Sequence, residues 1–219
     1  MNTLENKFGI VKEIPNKMAI EMVINFHYAH RRPSNSSLSY GLFKDDNLVG
    51  CIIYGNPFAI KINKSILNDI NKFKILELNR LFIYDYMPKN TESFLIGQSF
   101  KFLPKPVVLV SYADTGQNHS GYIYQATNWI YTGLTDKSGC YSRIIINGKE
   151  RSSKSFYDEL GTQSKQKILE KYPNAIFIPY TVKHRYVFFL GTKNGKKEFM
   201  KILKPEIKPY PKLNKIDVL

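Results

Sequence analysis

Apolar and polar positions change period along the chain, and each change marks an element. Residues 7–13 fit a short strand. After Pro15, the positions of Met18, Met22, Ile24, Phe26 and Ala29 predict a mostly apolar helix over 16–29, with the proline near its start. A polar loop at 31–37 precedes a hairpin pattern, 38–43 and 48–54 around the turn residues 44–47. Gly55-Asn56-Pro57 breaks it, and 60–72 is polar and of undecided structure. A strand is expected over 75–84, then a helix from Asn90 or Thr91 to about Leu103, ended by Pro104 and Pro106. Residues 107–112 are continuously apolar, the mark of a strand buried on both faces, and end at Asp114. A helix at 121–129 and a short strand at 130–133 follow.

This order, a hairpin and then βαβα units, predicts an α/β fold with a mixed sheet covered by helices. Residues 141–178 depart from it. There 152–160 and 162–172 read as two short helices joined at Gly161, a basic helical insertion before a last strand at 186–190. The Pro- and Lys-rich stretch 204–219 is expected to be extended or disordered, leaving 1–203 as one domain.

Composition narrows the classes. The 219 residues are 43% hydrophobic, enough for a real core. No apolar run approaches the roughly 18 residues of a membrane helix, and the N-terminus has no signal-peptide pattern, so a cytoplasmic protein without a membrane partner is expected. Cys51 and Cys140 form no CxxC pair and read as structural. The net charge of +14 is uneven: residues 1–136 hold 14 basic and 11 acidic side chains, residues 137–219 hold 18 and 7. Drift in a Lys-, Asn- and Ile-rich chain accounts for some excess, whereas its concentration in one part fits a polyanion partner, nucleic acid first.

Few sites carry chemistry. His27 and His30, three apart, read either as one packed and one surface histidine or as a metal-ligand or proton-transfer pair. Asp114 stands where open α/β sheets place their crevices, and Tyr124, Thr127 and Asn128 form a polar stripe on the next helix; the alternatives are a turn cap and simple packing. No GxxxxGK[ST], HExxH or GxSxG pattern occurs.

Four ordered segments, His27-Tyr28-Ala29-His30-Arg31-Arg32, Leu76-Glu77-Leu78-Asn79-Arg80-Leu81 running on to Asn90-Thr91-Glu92-Ser93, Tyr112-Ala113-Asp114 running on to Gly121–Trp129, and Lys183-His184-Arg185-Tyr186-Val187, together resemble the phage Mom family of DNA adenine-modification proteins. The resemblance implies a GNAT-like mixed sheet and conversion of the adenine N6 amine to a carbamoylmethyl (acetamido) derivative that shields phage DNA from host restriction. It implies a catalytic set of Asp114, Tyr124, His27, Tyr28, Asn128 and Tyr40. Asn90, Thr91, Ser93 and Ser99 would contact the donor, acetyl-CoA or another acyl or aminoacyl carrier, although the usual GNAT pyrophosphate loop is absent from 86–91. Iron at His27, Tyr28 and Asp114 is a further implication. Double-stranded DNA would be held by Arg31, Arg32, Arg143, Lys154, Lys183, His184 and Arg185, with the 151–172 hairpin entering a groove. Base extrusion would place adenine among Tyr28, Tyr40, Tyr112, Tyr124 and Trp129. The competing readings are a conventional N-acetyltransferase and a non-catalytic DNA-binding protein.

Overall fold

The structure, a computed structural model, describes residues 3–33, 35–57, 60–135 and 141–212. Its elements are α1 (Thr3–Phe8), β1 (Ile10–Glu13), α2 (Asn16–Phe26), β2 (Leu38–Lys44), β3 (Asn47–Gly55), α3 (Ile60–Ile66), β4 (Lys74–Ile83), α4 (Thr91–Ser99), β5 (Val107–Asp114), α5 (Tyr122–Ala126) and β6 (Ile130–Leu134), then β7 (Tyr141–Ile146), β8 (Lys149–Ser152), α6 (Ser153–Leu160), α7 (Lys165–Lys171), β9 (Ile176–Pro179), β10 (Lys183–Leu190) and α8 (Lys193–Ile202).

Seven strands form a mixed sheet in the order β1-β2-β3-β4-β5-β10-β6. Every described pairing in it is antiparallel except β4 with β5. The expected mixed sheet flanked by helices is present, with one parallel pair at its centre. Val107–Val110 are fully buried, as their unbroken apolar run requires of a strand covered on both faces. Leu109 packs with Leu76, Leu95 and Trp129 on one face, and Val108 and Val110 with Ile66, Phe189 and Phe199 on the other.

Several elements differ from the sequence pattern. Helix α2 stops at Phe26, because His27 is already extended at φ −75°, ψ 139°. Undecided residues 60–66 are helical, anchored by buried Ile66 and Leu67. α8 was not expected, since its lysines mask an amphipathic helix docked through Phe199, whose ring stacks on Phe189 at 5.5 Å. Thr192 caps it by accepting the Gly195 N–H at 3.1 Å.

The insertion contains both expected helices, but they lie on a three-stranded sheet, β8-β7-β9, around buried Ile144, Phe156 and Ile168. Its hairpin signal was the Asn147-Gly148 pair: both adopt positive φ (49° and 74°), as a two-residue turn between paired Ile146 and Lys149 demands. The tail through 212 has no regular element, yet it docks. The Lys208 N–H donates to the Tyr131 carbonyl at 3.0 Å and the Tyr210 hydroxyl to the Trp129 carbonyl at 2.7 Å, covering the outer edge of β6. The expectation for 213–219, and Cys140, lie outside the described residues. Among the described residues no helix is long and apolar enough to cross a membrane.

Phe199→Ala should lower stability by about 3–5 kcal/mol, the usual cost of emptying a buried aromatic site. Denaturant unfolding measures it, and an unchanged midpoint would mean α8 is not docked through this ring.

Candidate active site

Strands β4 and β5 pair only from Lys74 to Glu77 against Val107 to Val110, then part. Part of the cause lies in β4. Its register against β3 shifts between Ile53↔Arg80 and Tyr54↔Leu78, so Asn79 is an extra residue, a bulge that bends the strand. The parted strands bound a cleft of about 620 Å³. Glu77 and Arg80 of β4, Tyr112 and Asp114 of β5, Tyr124 of α5 and Lys183 of β10 line it, with His27 and Tyr28 from the end of α2.

The gap is closed from within. The Ser111 hydroxyl bonds the Leu78 carbonyl at 3.0 Å, supplying the bond that the missing strand neighbour would have made, and lies 2.8 Å from the Tyr124 hydroxyl. Tyr124 packs against Trp129 and Tyr186, each at 5.2 Å between ring centroids. Gly121 begins this helix at φ 84°, and a Cβ there would run into the Tyr186 ring, so glycine is needed on both counts.

Two of the four carboxyls lining the cleft, Glu77 and Asp114, have opposite characters. Glu77 is half-buried and was not singled out from the sequence. Burial pushes its carboxyl up to about 7, with Lys183 and Arg80 only partly opposing the rise. A single acid between Leu76 and Leu78 in the strand pattern 75–83 was the signal that marked it. For Asp114 burial also acts upward, but Thr181, Gly116 and Lys183 outweigh it and hold the carboxyl below its ordinary value. Asp114 accepts the Thr181 hydroxyl and the Gly116 N–H (2.9 Å), and Lys183 Nζ lies 3.4 Å away. It is therefore the firmly ionised member.

His27 accepts the Ala29 N–H on Nδ1 at 3.0 Å, so the neutral ring carries its proton on Nε2. Burial first, then Arg80, His119 and His30, lower it to about 4. Its ring lies 4.2 Å from that of Tyr28, which in turn meets His119 edge-on at 5.5 Å. Burial pushes the Tyr124 phenol up to about 12, so it stays protonated.

Residues 9–212 match the family model of the Mom protein family. The chain belongs to the Mom family. Methylcarbamoylase mom of Escherichia phage Mu is 26% identical over 213 residues, 92% of this chain and 83% of that protein. Among solved structures, Arabidopsis thaliana NAA60 in complex with acetyl-CoA aligns over 83% of this chain and 98% of its own, at 11% identity and a TM-score of 0.49. The spermidine/spermine N-acetyltransferase SpeG from Vibrio cholerae aligns over 88% and 97%, at 8% identity and 0.46.

The fold of this Mom-family chain gathers some of the expected residues and disperses others. His27, Tyr28, Asp114 and Tyr124 share the cleft. Tyr40 does not: it is 1% exposed and stacks on Phe102 at 5.5 Å within the core. Trp129 is fully buried and supports Tyr124 from behind. Asn128 is exposed at φ 60° just past α5, outside the cleft lining, where its backbone serves the helix end. The shared helix face of His27 and His30 is lost because the helix has ended, and His30 Nδ1 lies 2.9 Å from the Ile24 carbonyl instead.

The residues expected to meet the donor are mostly committed to the fold. Thr91 is buried and donates to the Pro88 carbonyl, Ser93 donates to the Asn90 carbonyl at 2.9 Å, and buried Ser99 bonds Tyr54 at 2.8 Å. Asn90, at φ 72°, makes no side-chain cap, so α4 presents first-turn backbone with Glu92 beside it in the cleft wall. The iron expectation is corrected. Among the described residues no three His, Cys, Asp or Glu side chains converge as ligands. The Asp114 oxygens and His27 Nδ1 already hold protein partners, so this donor set does not fit the metal.

The expected DNA contacts also divide. Arg31 and Arg143 both bind Glu150, at 3.0 and 2.7 Å, tying the end of α2 to the β7–β8 hairpin. Arg32 is exposed, and the Lys154 side chain lies outside the described residues. Lys183 serves the cleft, and His184 meets the Tyr131 hydroxyl at 2.8 Å. Arg185 donates to Thr132 (2.8 Å) and Ser65 (3.3 Å), so it joins β10 to β6 and α3 rather than standing free for phosphate.

Two titrations follow. The His27 imidazole should show an NMR pKa near 4, against the ordinary 6.5, and a value of 6 or above would deny its burial. Glu77 binds its proton more tightly folded than unfolded, so its contribution to stability is whole below about 4.5 and is lost as pH rises through about 7. Glu77→Gln should remove that decline, and parallel pH profiles for both proteins would contradict it.

Proposed function

We propose that this Mom-family transferase modifies the N6 amine of adenine in DNA, adding a carbamoylmethyl (acetamido) group that shields phage DNA from restriction in the host cytoplasm. The observation that carries the reading is a cleft, within a chain matching the family over residues 9–212, that sets a near-neutral carboxyl among aromatic rings. The phage Mu relative's name, methylcarbamoylase, describes a group of the same atoms.

The chemistry fits these side chains. The amine nitrogen is paired in duplex DNA and its lone pair is spread into the ring, so the base must leave the stack and be held by stacking and edge bonds. Tyr28 and Tyr112 offer ring surface at the cleft. A Glu77 carboxyl at about 7 is suited to take the proton that the amine loses, because a base works best near the ambient pH. Asp114, held ionised, fixes Lys183 at the mouth and so contributes charge rather than proton transfer. Tyr124, protonated and with its hydroxyl proton directed to Ser111, can accept an N–H of the adenine amine on its oxygen and so orient the base. The new bond joins N6 to the CH2 carbon of the carbamoylmethyl group as that carbon's bond to its carrier breaks, the carrier leaving with the electron pair. A phosphate-bearing carrier would meet the first turn of α4, where helix N–H groups favour phosphate.

The test is expression in a bacterium followed by nucleoside mass spectrometry of its DNA. An adenine nucleoside heavier by an acetamido substituent is expected, with the yield falling about 100-fold in Glu77→Gln, within the range for losing a general base. Unmodified adenine from folded wild-type protein would overturn the reading. Full activity in Glu77→Gln would remove Glu77 from the chemistry.

A further inference from the structure

Segments 60–74 and 193–204 carry nine lysines against two carboxylates, Asp69 and Glu198. The fold joins them on one side of the sheet. Leu67 bridges Leu203, and the Asn68 and Lys204 N–H groups donate to the Ile202 and Ile66 carbonyls, each at 2.9 Å. On α8, Lys193, Lys197 and Lys201 recur every fourth residue with Lys196 beside them, and all four are exposed while Phe199 is buried. Glu198, the one acid on this helix, is engaged by Lys72 at 3.2 Å.

Helices α2 and α4 are not charged in this way, and the insertion is so only in part. α2 carries one lysine and one glutamate, and α4 carries a single glutamate. In the insertion, Arg151 and Lys171 hold Glu159, and Arg143 shares Glu150 with Arg31. Ion pairs thus offset much of the insertion's charge, whereas the α3–α8 side keeps its own.

We infer that the exposed face of α3 and α8 is where duplex DNA lies, its lysines set against phosphates; this rests on the reading that the substrate is adenine in DNA. Strand β10 links this face to the cleft. Phe189 and Val187 lie beneath α8, Arg185 reaches Ser65 of α3, and Lys183 stands at Asp114. These are alternate residues of one strand face, about 20 Å from end to end at roughly 3.3 Å per residue. That distance is about six base pairs at 3.4 Å each. Lysines there hold the duplex beside the extruded base, and as phosphate contacts they set position without reading sequence.

Fluorescence anisotropy of the full chain with two unrelated duplexes, over a salt series, tests the face. The quadruple variant K193Q/K196Q/K197Q/K201Q should bind both about tenfold or more weakly at 0.1 M salt. Its slope of log affinity against log salt should fall by up to about 3.6 units, since each of the four lost phosphate contacts removes roughly 0.9. An unchanged thermal melt would show it folded, as four exposed side chains allow, and its yield of modified nucleoside should fall. Equal affinity and slope in the variant, with wild type bound and adenine still modified, overturns the face alone. Failure of wild type both to bind duplex and to modify adenine overturns the face together with the reading beneath it. Loss of binding to anionic-lipid vesicles with duplex binding unaltered assigns the face to a membrane surface and overturns the inference.

Discussion

The parting of β4 and β5 is the constraint on which the site depends. Two parallel strands buried on both faces lose their mutual hydrogen bonds after Glu77 and Val110, and such a gap is tolerated only if the freed backbone groups find partners. Ser111 supplies one through the Leu78 carbonyl. Tyr124 steadies Ser111, and Trp129 and Tyr186 steady Tyr124. The aromatic core behind the cleft therefore does more than fill space. It holds open a polar seam in the middle of an apolar sheet.

That seam explains why neighbouring acids differ. Glu77 sits deeper, where the loss of water dominates and the cations nearby do not fully restore what the charge has lost. Asp114 stands at the strand end, where a hydroxyl, a backbone N–H and a lysine satisfy its oxygens. His27 follows the first logic with the opposite sign, since burial beside Arg80 disfavours its cation. One cleft thereby holds a near-neutral carboxyl, a fixed carboxylate and an uncharged imidazole, a separation of protonation states that proton transfer requires.

Positive charge is distributed with similar division of labour. Glu150 gathers Arg31 and Arg143, and Glu159 gathers Arg151 and Lys171, so these cations join the insertion to itself and to the end of α2. Arg185 knits β10 to its neighbours. Solvated charge remains on α3 and α8, which pack on the opposite sheet face from the Tyr124–Trp129 cluster.

The sequence by itself determined the sheet, the early hairpin, the buried strand 107–112 and the ordered motifs of the Mom family, because these rest on local period and on short runs whose spacing is their content. The family resemblance grouped His27, Tyr28, Asp114 and Tyr124 with Tyr40 and Asn128, and the first four line one cleft. The sequence also held the Asn147-Gly148 turn in plain sight, and Glu77 between Leu76 and Leu78, as signals that periodicity alone undervalues. Only the tertiary structure decided which polar residues face the cleft: Tyr40, Trp129 and Ser99 have suitable chemistry but are enclosed in the core, and Arg185 is committed to Thr132 and Ser65. Residue type states what a side chain can do. Burial and partners, which arise from contacts distant in sequence, decide its protonation and whether a ligand can reach it.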